Sequence, residues 1–397
     1  MTISSQIQGV VVAWQIYDLT HDPLSLGMMG LAEALPFIGV ALYAGHIADR
    51  ANRRLVSLVA IAMLLACSIT LLAFNLIPGF LGAHGARPFY AVIFASGIAR
   101  SFLQPARNAL GAEIVERGLY ANAVAWRSST WQTAAVVGPA IGGLIYGYAS
   151  PRLAYVADAI MMTIALAAFW SITYRGQESS VRGEPIGESL KQGLRFVFAE
   201  SVLLSALTLD LFSVLLGGAE ALLPVFADQI LHVGPQGLGV LRAAPAAGAV
   251  VASVYLAHRA PFKKAGVAML AAVATFAVSV IGFGLSRSFA LSLCCLAVSG
   301  LADNVSVLIR STLLQVLTPA HLLGRVSSVN SIFVGSSNEL GAFESGVAAR
   351  LLGTVVSVVL GGVASLGVVA GVGLGVPRLR RLGRIDDLDV AVVQPQA

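Results

Sequence analysis

The chain has 397 residues, of which 57% are hydrophobic and only 11% are Asp, Glu, Lys or Arg, against about 25% charged residues in ordinary globular proteins. So few charges cannot cover a water-exposed surface, and the composition therefore excludes a soluble enzyme and predicts a membrane protein. The net charge of +5 does not indicate nucleic-acid binding, because the Lys and Arg residues of membrane proteins collect in cytoplasmic loops. The lipid bilayer is the expected surrounding.

Apolar runs bounded by charges or turn residues predict twelve transmembrane helices. Most runs hold about 20 apolar positions, enough to cross roughly 30 Å of hydrocarbon, whereas the first offers only about 15. We therefore expect the first helix to be shortened, either because residues are missing before it or because it tilts little. The predicted helices cover 2–17, 25–47, 55–77, 88–104, 120–148, 152–174, 201–226, 238–257, 265–285, 289–309, 326–346 and 350–375.

The positive charges divide unequally between alternate loops. Eighteen Lys and Arg residues fall on one set of loops and four on the other, and Arg107 and Arg310 are both counted in the larger set. Because positive charges stay on the cytoplasmic side, this bias predicts that both termini are cytoplasmic. Arg100, Arg127 and Arg242 remain inside predicted helices.

The chain also contains an internal repeat. At a shift of 203 residues, the segment 97–143 aligns without a gap over 300–346, and at a shift of 212 the second predicted helix aligns over the eighth. Such repeats are typical of membrane carriers and predict two pseudo-symmetric six-helix bundles. We expect an N-terminal bundle at 1–174, a cytoplasmic linker at 175–198, a C-terminal bundle at 199–376 and a cytoplasmic tail at 377–397.

The loop after the second helix carries the clearest motif. It resembles the Gly-x-x-x-Asp-Arg-x-Gly-Arg-Arg signature of the major facilitator superfamily, with Asn52 in place of the usual glycine, where we expect a left-handed backbone. A carboxylate beside arginines can pair in one conformation and separate in another, which predicts a conformational switch. The alternative is a basic anchor at the membrane surface. The predicted switch residues are Gly45, Asp49, Arg50, Arg53 and Arg54.

The fifth helix contains Gly138, Pro139, Gly142 and Gly143. This run resembles the Gly-x-x-x-Gly-Pro-x-x-Gly-Gly pattern of proton-coupled exporters in the superfamily, with Ala134 in place of the first glycine. A proline within a helix bends its axis, and small residues allow close approach of a neighbouring helix. The motif favours efflux and a kink in helix 5, and its alternative is general tight packing.

Four further segments resemble the enterobactin-exporter branch of the superfamily: 14–20, 222–227, 234–239 and 338–346. The resemblance implies a monomeric secondary antiporter of the bacterial inner (plasma) membrane. It would export a small organic molecule, siderophore-like or drug-like, by alternating access in exchange for protons. Two alternatives remain: an uptake carrier or facilitator of the same fold, and a non-transporting receptor or assembly factor.

Ionisable residues inside predicted helices are candidates for function, because a charge facing lipid is costly. The repeat places Arg100 and Asp303 at equivalent positions, and the resemblance puts helices 1, 4, 7 and 10 around a central cavity. The alternative is a structural ion pair within one half, and for Arg127, Asp158 and Arg242, near predicted helix ends, snorkelling to the surface. The predicted substrate and proton pathway comprises Arg100, Asp210, Glu220 and Asp303.

Glu33, Glu339 and Glu344 lie on helices 2 and 11, which meet between the halves in the families that the chain resembles. Protonation of these interface carboxylates would report the conformational change, whereas the alternative is polar contact between packed helices. The sequence contains no nucleotide-binding glycine loop, metal-ligand spacing or nucleophile with its base. We therefore expect neither an enzyme nor a bound cofactor or metal.

Overall fold

The computed structural model describes residues 1–172, 186–258, 262–319 and 321–383, apart from some side chains around 41–50, 112–121 and 186–190. The described residues are almost all helical, with no strand among them. Short additional helices lie at Phe80–His84, Ile186–Ala199 and Pro377–Arg380. The long helices are α1 Thr2–Thr20, α2 Pro23–Arg50, α3 Arg53–Leu76, α4 Arg87–Ile114, α5 Tyr120–Tyr148, α6 Pro151–Trp170, α7 Ser201–Leu216, α8 Gly234–Ala257, α9 Ala265–Leu285, α10 Phe289–Leu317, α11 Leu323–Leu352 and α12 Thr354–Gly375.

These twelve long helices confirm the predicted fold class. In the described part of the chain, eight helical segments are long and apolar enough to cross a membrane by length and composition alone. Helix α1 has 19 residues, which corresponds to about 28 Å at 1.5 Å per residue. The remaining long helices contain more polar residues, as expected where helices face one another instead of lipid.

Two helices extend beyond their predicted ends. Helix α4 continues to Ile114 and α10 to Leu317, so Arg107 and Arg310 lie inside helices. The prediction that both arginines are loop residues was wrong, because a charge ends an apolar run without ending the helix. Removing them from the count leaves the excess of positive charge on the same side.

The seventh helix was also predicted incorrectly. Helix α7 ends at Leu216, and the segment after it continues as a 3-10 turn at Ala219–Leu222, one short helical turn and a π-helical turn at Phe226–Ile230. A Cβ atom at Gly217 would lie 2.9 Å from the Phe276 ring, and a Cβ at Gly218 would lie 2.9 Å from a backbone oxygen. The paired glycines therefore allow the close packing at which the regular helix stops.

The chain divides into two compact units. The first comprises Met1–Arg182 with Glu220–Ala243, and the second comprises Gly183–Ala219 with Ala244–Ala397. The domain limits given by the sequence remain a prediction. In the first unit, α1, α3, α4 and α6 contribute to one apolar cluster that includes Ile7, Ile16 and Phe89, which are fully buried.

The second unit has its own apolar core. Helices α7, α9 and α10 meet around Leu209, Met269 and Leu313, all fully buried. The helix Ile186–Ala199 packs on α11 through a second cluster that includes Val197 and Val326. Each unit therefore contains its own apolar clusters.

Equivalent glycines of the repeat make equivalent contacts. A Cβ atom at Gly97 on α4 would lie 3.3 Å from the backbone oxygen of Glu33 on α2. A Cβ at Gly300 on α10 would lie 2.5 Å from the Pro245 Cα of α8. Helix pairs α4–α2 and α10–α8 thus approach closely at matching places, as the internal repeat requires.

Candidate functional site

The first unit holds an ion pair between two long helices. Arg100 on α4 donates through Nη1 to Glu33 Oε1 on α2, and the two side chains are 36% and 21% exposed. Arg107 lies seven residues further along, about 20° from Arg100 around the helix axis. Its Nε is buried without a hydrogen-bond partner among the described residues. The formal charges of Arg100, Arg107 and Glu33 sum to +1.

The second unit holds a more deeply buried pair. Arg310 on α10 donates through Nη1 to Asp210 Oδ2 on α7, and each side chain is only 6% exposed. Asp210 was predicted from the sequence as a pathway residue, whereas Arg310 was not. The available signal was the repeat, which aligns Arg310 with Arg107.

A small cavity lies beside this pair. Its volume of about 10 Å³ leaves room for about one water molecule. Asp210 and Asp303, both predicted pathway residues, lie together at its wall, whereas Arg100 belongs to the other compact unit. The formal charges of Asp210, Asp303 and Arg310 sum to −1. The complete lining is Asp210, Ser213, Val214, Val273, Phe276, Asp303 and Ser306.

The other predicted carboxylates are not part of this cavity. Glu220 is exposed on the 3-10 turn after α7, Glu339 is half-buried on α11, and Glu344 is exposed on the same helix. Glu344 lines an open groove with Phe343 and Leu351, and its Oε2 accepts a 3.4 Å hydrogen bond from Ser345 Oγ. Glu33 pairs with Arg100, as described above.

The predicted switch loop is described only in part. Helix α2 runs to Arg50, but the side chains of Gly45, Asp49 and Arg50 lie outside the described residues. Arg53 pairs with Glu113 at the end of α4. Arg54 Nη2 donates to the Trp170 carbonyl at the end of α6 over 2.6 Å. The two arginines therefore fasten three helix ends of the first unit.

Asn52 does not adopt the expected left-handed backbone. Its backbone is extended, with φ −62° and ψ 106°. Its side-chain oxygen accepts a 3.1 Å hydrogen bond from the Leu55 N–H. Asn52 therefore caps the start of α3. A residue that caps a helix in this way needs no positive φ.

The glycines of α5 allow close packing against α1 and α8. A Cβ atom at Gly138 would lie 3.2 Å from the Ile3 oxygen of α1, and a Cβ at Gly142 would lie 3.2 Å from Ile7 Cα. A Cβ at Gly143 would lie 2.8 Å from Gly239 Cα on α8, within the same unit. Pro139 lies inside the continuous helix, and a kink there remains a prediction.

For Asp158, snorkelling to the surface was the alternative to a functional role, and the structure excludes that alternative. Its side chain is 0% exposed on α6, where Ser4 Oγ and Gln8 Nε2 of α1 donate hydrogen bonds to its carboxylate. The carboxylate is short and has no long stem with which to snorkel. Arg127, by contrast, is exposed and donates to Asn108 Oδ1 over 2.9 Å.

Solved structures of several transporters have the same fold as this chain. The bacterial homologue of the human lysosomal transporter Spinster superposes with a TM-score of 0.66 at 14% identity, covering 100% of this chain and 98% of that one. A POT family transporter bound to 5-aminolevulinic acid gives 0.70 at 11% identity, covering 95% and 94%. A D-xylose-proton symporter gives 0.67 at 12%, covering 97% and 98%.

Sequence comparison identifies the family. The enterobactin exporter EntS of Escherichia coli O1:K1 is 27% identical over 336 residues, which cover 82% of this chain and 77% of the relative. The protein of the same name from Shigella boydii serotype 18 has the same identity and coverage. The profile of a family described as "Transmembrane secretion effector" matches residues 2–392. The chain is thus an integral membrane protein of the transmembrane secretion effector family of the major facilitator superfamily, whose members are transporters and not enzymes.

Proposed function

We propose that the protein exports a small organic solute by alternating access, driven by inward movement of protons. Membership of a secretion effector family and similarity to enterobactin exporters support the outward direction. The observation that supports coupling best is the opposite charge of Arg100 and Asp303, which occupy equivalent positions of the repeat. Ionisable residues at membrane depth commonly mark substrate and proton pathways.

The two charge clusters suggest different roles. The positive cluster of Arg100, Arg107 and Glu33 favours an anionic or strongly polar group of the solute, as a siderophore would present. The negative cluster around Asp210 and Asp303 favours a cation. One charge that crosses 100 mV releases about 2.3 kcal/mol, enough for roughly a fifty-fold solute gradient without ATP.

The switch loop would control the conformational change and not solute recognition. Gly45, Asp49 and Arg50 lie at the end of α2, and Arg53 and Arg54 fasten α3 to the ends of α4 and α6. The interface carboxylates Glu33, Glu339 and Glu344 and the packing residues of α5 would respond to the same change. Asp49→Asn should therefore reduce transport while solute affinity stays within a few fold.

The charge bias supports cytoplasmic termini in the inner membrane. Ser150, which caps α6, would then face the periplasm. A single cysteine at this position, in a variant without the native cysteines, should react with an impermeant maleimide added to intact spheroplasts. Reaction only after the membrane is opened would contradict this orientation.

Transport itself is tested with purified protein in proteoliposomes. Metabolite profiles of a deletion strain select the solute, and enterobactin serves as the first probe. We expect solute to move against its gradient when an imposed proton gradient runs the other way, and to stop when an ionophore collapses that gradient. Movement that only equilibrates the solute would indicate a facilitator, accumulation in the direction of the proton flux an uptake carrier, and absence of movement for every candidate solute a receptor.

A further inference from the structure

One arginine of the first unit lacks a partner among the described residues. Arg242 lies on α8, inside a segment that is long and apolar enough to cross a membrane. Its side chain is half-buried, and in the part of the chain that the structure describes it makes neither a salt bridge nor a side-chain hydrogen bond. A charge within such a helix is costly, and it marks a candidate functional site.

Other arginines of the same unit differ from Arg242 in this respect. Five of them donate a hydrogen bond to an oxygen atom of another helix: Arg53, Arg54, Arg100, Arg127 and Arg152. For Arg100 the acceptor is the Glu33 carboxylate, which offsets the positive charge. No described carboxylate offsets the charge of Arg242 in this way, so Arg242 has its full hydrogen-bonding capacity available for a ligand.

The guanidinium of Arg242 borders an open space beside α1. A Cβ atom at Gly9 would lie 4.0 Å from Arg242 Nη2, and no other described atom of a neighbouring helix comes within 4 Å of that position. Gly9 is half-buried, as are Ser5 and Gln6, which precede it by about one turn on the same face of α1. The space is therefore limited by a charged side chain and a polar helix face, and not by packed backbone.

The chemistry of these groups selects an anion with oxygen atoms. A guanidinium has five N–H donors in a planar fork and no acceptor, and it matches the geometry of a carboxylate or phosphate through paired hydrogen bonds. The Ser5 hydroxyl and the Gln6 amide supply further donors on the facing helix. A neutral occupant would leave the positive charge of Arg242 without compensation.

We propose that Arg242 binds an oxyanion group of the solute, such as a carboxylate, and that Gly9 keeps the space for this group open. Arg242 thereby sets the preference for anionic over neutral solutes, and Ser5 and Gln6 contact the polar groups beside the charge. The identity of the bound anion as exported cargo rests on the proposed function, whereas binding of an oxyanion at Arg242 does not require transport.

Binding is measured on the full-length protein in nanodiscs of uncharged lipid, through the rise in unfolding temperature and without any gradient. The probes are sodium benzoate and benzamide, which share a ring and differ in charge, with sodium chloride keeping the ionic strength constant. The test variants are Arg242→Gln, which removes the charge, and Gly9→Leu, which fills the space and keeps the charge. The matched controls are Arg287→Gln, at an exposed arginine between α9 and α10, and Gly39→Leu, where a Cβ atom meets nothing within 4 Å.

We expect benzoate to stabilise the wild type with a midpoint concentration at least about tenfold lower than that of benzamide, because hydrogen bonds to a charged group are the stronger ones. Arg242→Gln should abolish this preference. Gly9→Leu should weaken benzoate binding by about tenfold or more, because its side chain occupies the space. Both controls should keep the wild-type midpoints. If Arg242→Gln does not fold, Gly9→Leu decides the question, since it retains every charge.

Equal midpoints for benzoate and benzamide in the wild type would overturn the proposal. An unchanged preference in folded Arg242→Gln would also overturn it, as would a loss of equal size in Arg287→Gln, which would indicate a general effect of charge. None of these results involves transport, so each leaves the proposed function standing. Absence of gradient-driven export by a protein whose benzoate binding depends on Arg242 would instead contradict the proposed function.

Discussion

The two units repeat the same helix packing but differ in the charge of residues at equivalent positions. At equivalent positions of α4 and α10, the first unit has Arg100 and the second has Asp303. One turn further, the first unit has Leu103, which packs in an apolar cluster, where the second has Ser306 at the cavity. The repeat therefore preserves the small residues that set helix spacing, while ionisable residues at equivalent positions have diverged to opposite charge.

The largest expected effect concerns the difference in burial between the two ion pairs. Arg310→Gln leaves Asp210 in a nearly fully buried environment without its partner, which should cost about 3 to 5 kcal/mol of stability. Arg100→Gln affects a partly exposed pair and should cost less stability. Unfolding in the same detergent measures both, with Asp210→Asn/Arg310→Gln expected to regain part of the loss. Equal losses in the two units would contradict the comparison.

The second prediction concerns what the units share. Gly138 on α5 and Gly341 on α11 are equivalent in the repeat, and a Cβ atom at either would lie 3.0 to 3.2 Å from a backbone oxygen of α1 or α7, respectively. Gly138→Val and Gly341→Val should each destabilise the protein by about 1 to 3 kcal/mol through overpacking. Gly111→Val, where a Cβ atom meets nothing within 4 Å, is the matched control. A loss in only one unit would indicate that their packing is not equivalent.

The smallest effect on stability is expected at the switch loop of the first unit. Arg53→Gln removes a partly exposed pair with Glu113 and should change the free energy of unfolding by less than about 1 kcal/mol. Transport should nevertheless fall, because the pair fastens helix ends at the switch. Parallel measurement of unfolding and of solute movement separates the two effects. Normal transport by a stable Arg53→Gln protein would contradict a switching role and indicate that the loop is only a membrane anchor.

The sequence predicted the helices well because lipid imposes long apolar runs, and it revealed the repeat because packing glycines keep their spacing. It failed where a charge was mistaken for the end of a helix, as at Arg310. The partner of Asp210 depends on how α7 packs on α10, and neither hydropathy nor spacing contains that information. The burial of Asp158 could not be predicted for the same reason, since its donors Ser4 and Gln8 lie on a distant part of the chain.

The most direct test of the account compares Arg100→Gln with Asp303→Asn, both reconstituted in proteoliposomes. For each stable variant, the solute dissociation constant and the number of protons moved per solute are measured at several pH values. We expect Arg100→Gln to weaken solute binding without changing proton coupling, because Arg100 would contact the solute. Asp303→Asn should leave solute affinity within a few fold and abolish proton movement and its pH dependence. If both variants transport normally per folded molecule and are merely less stable, the assignment of solute and cation to different halves is contradicted.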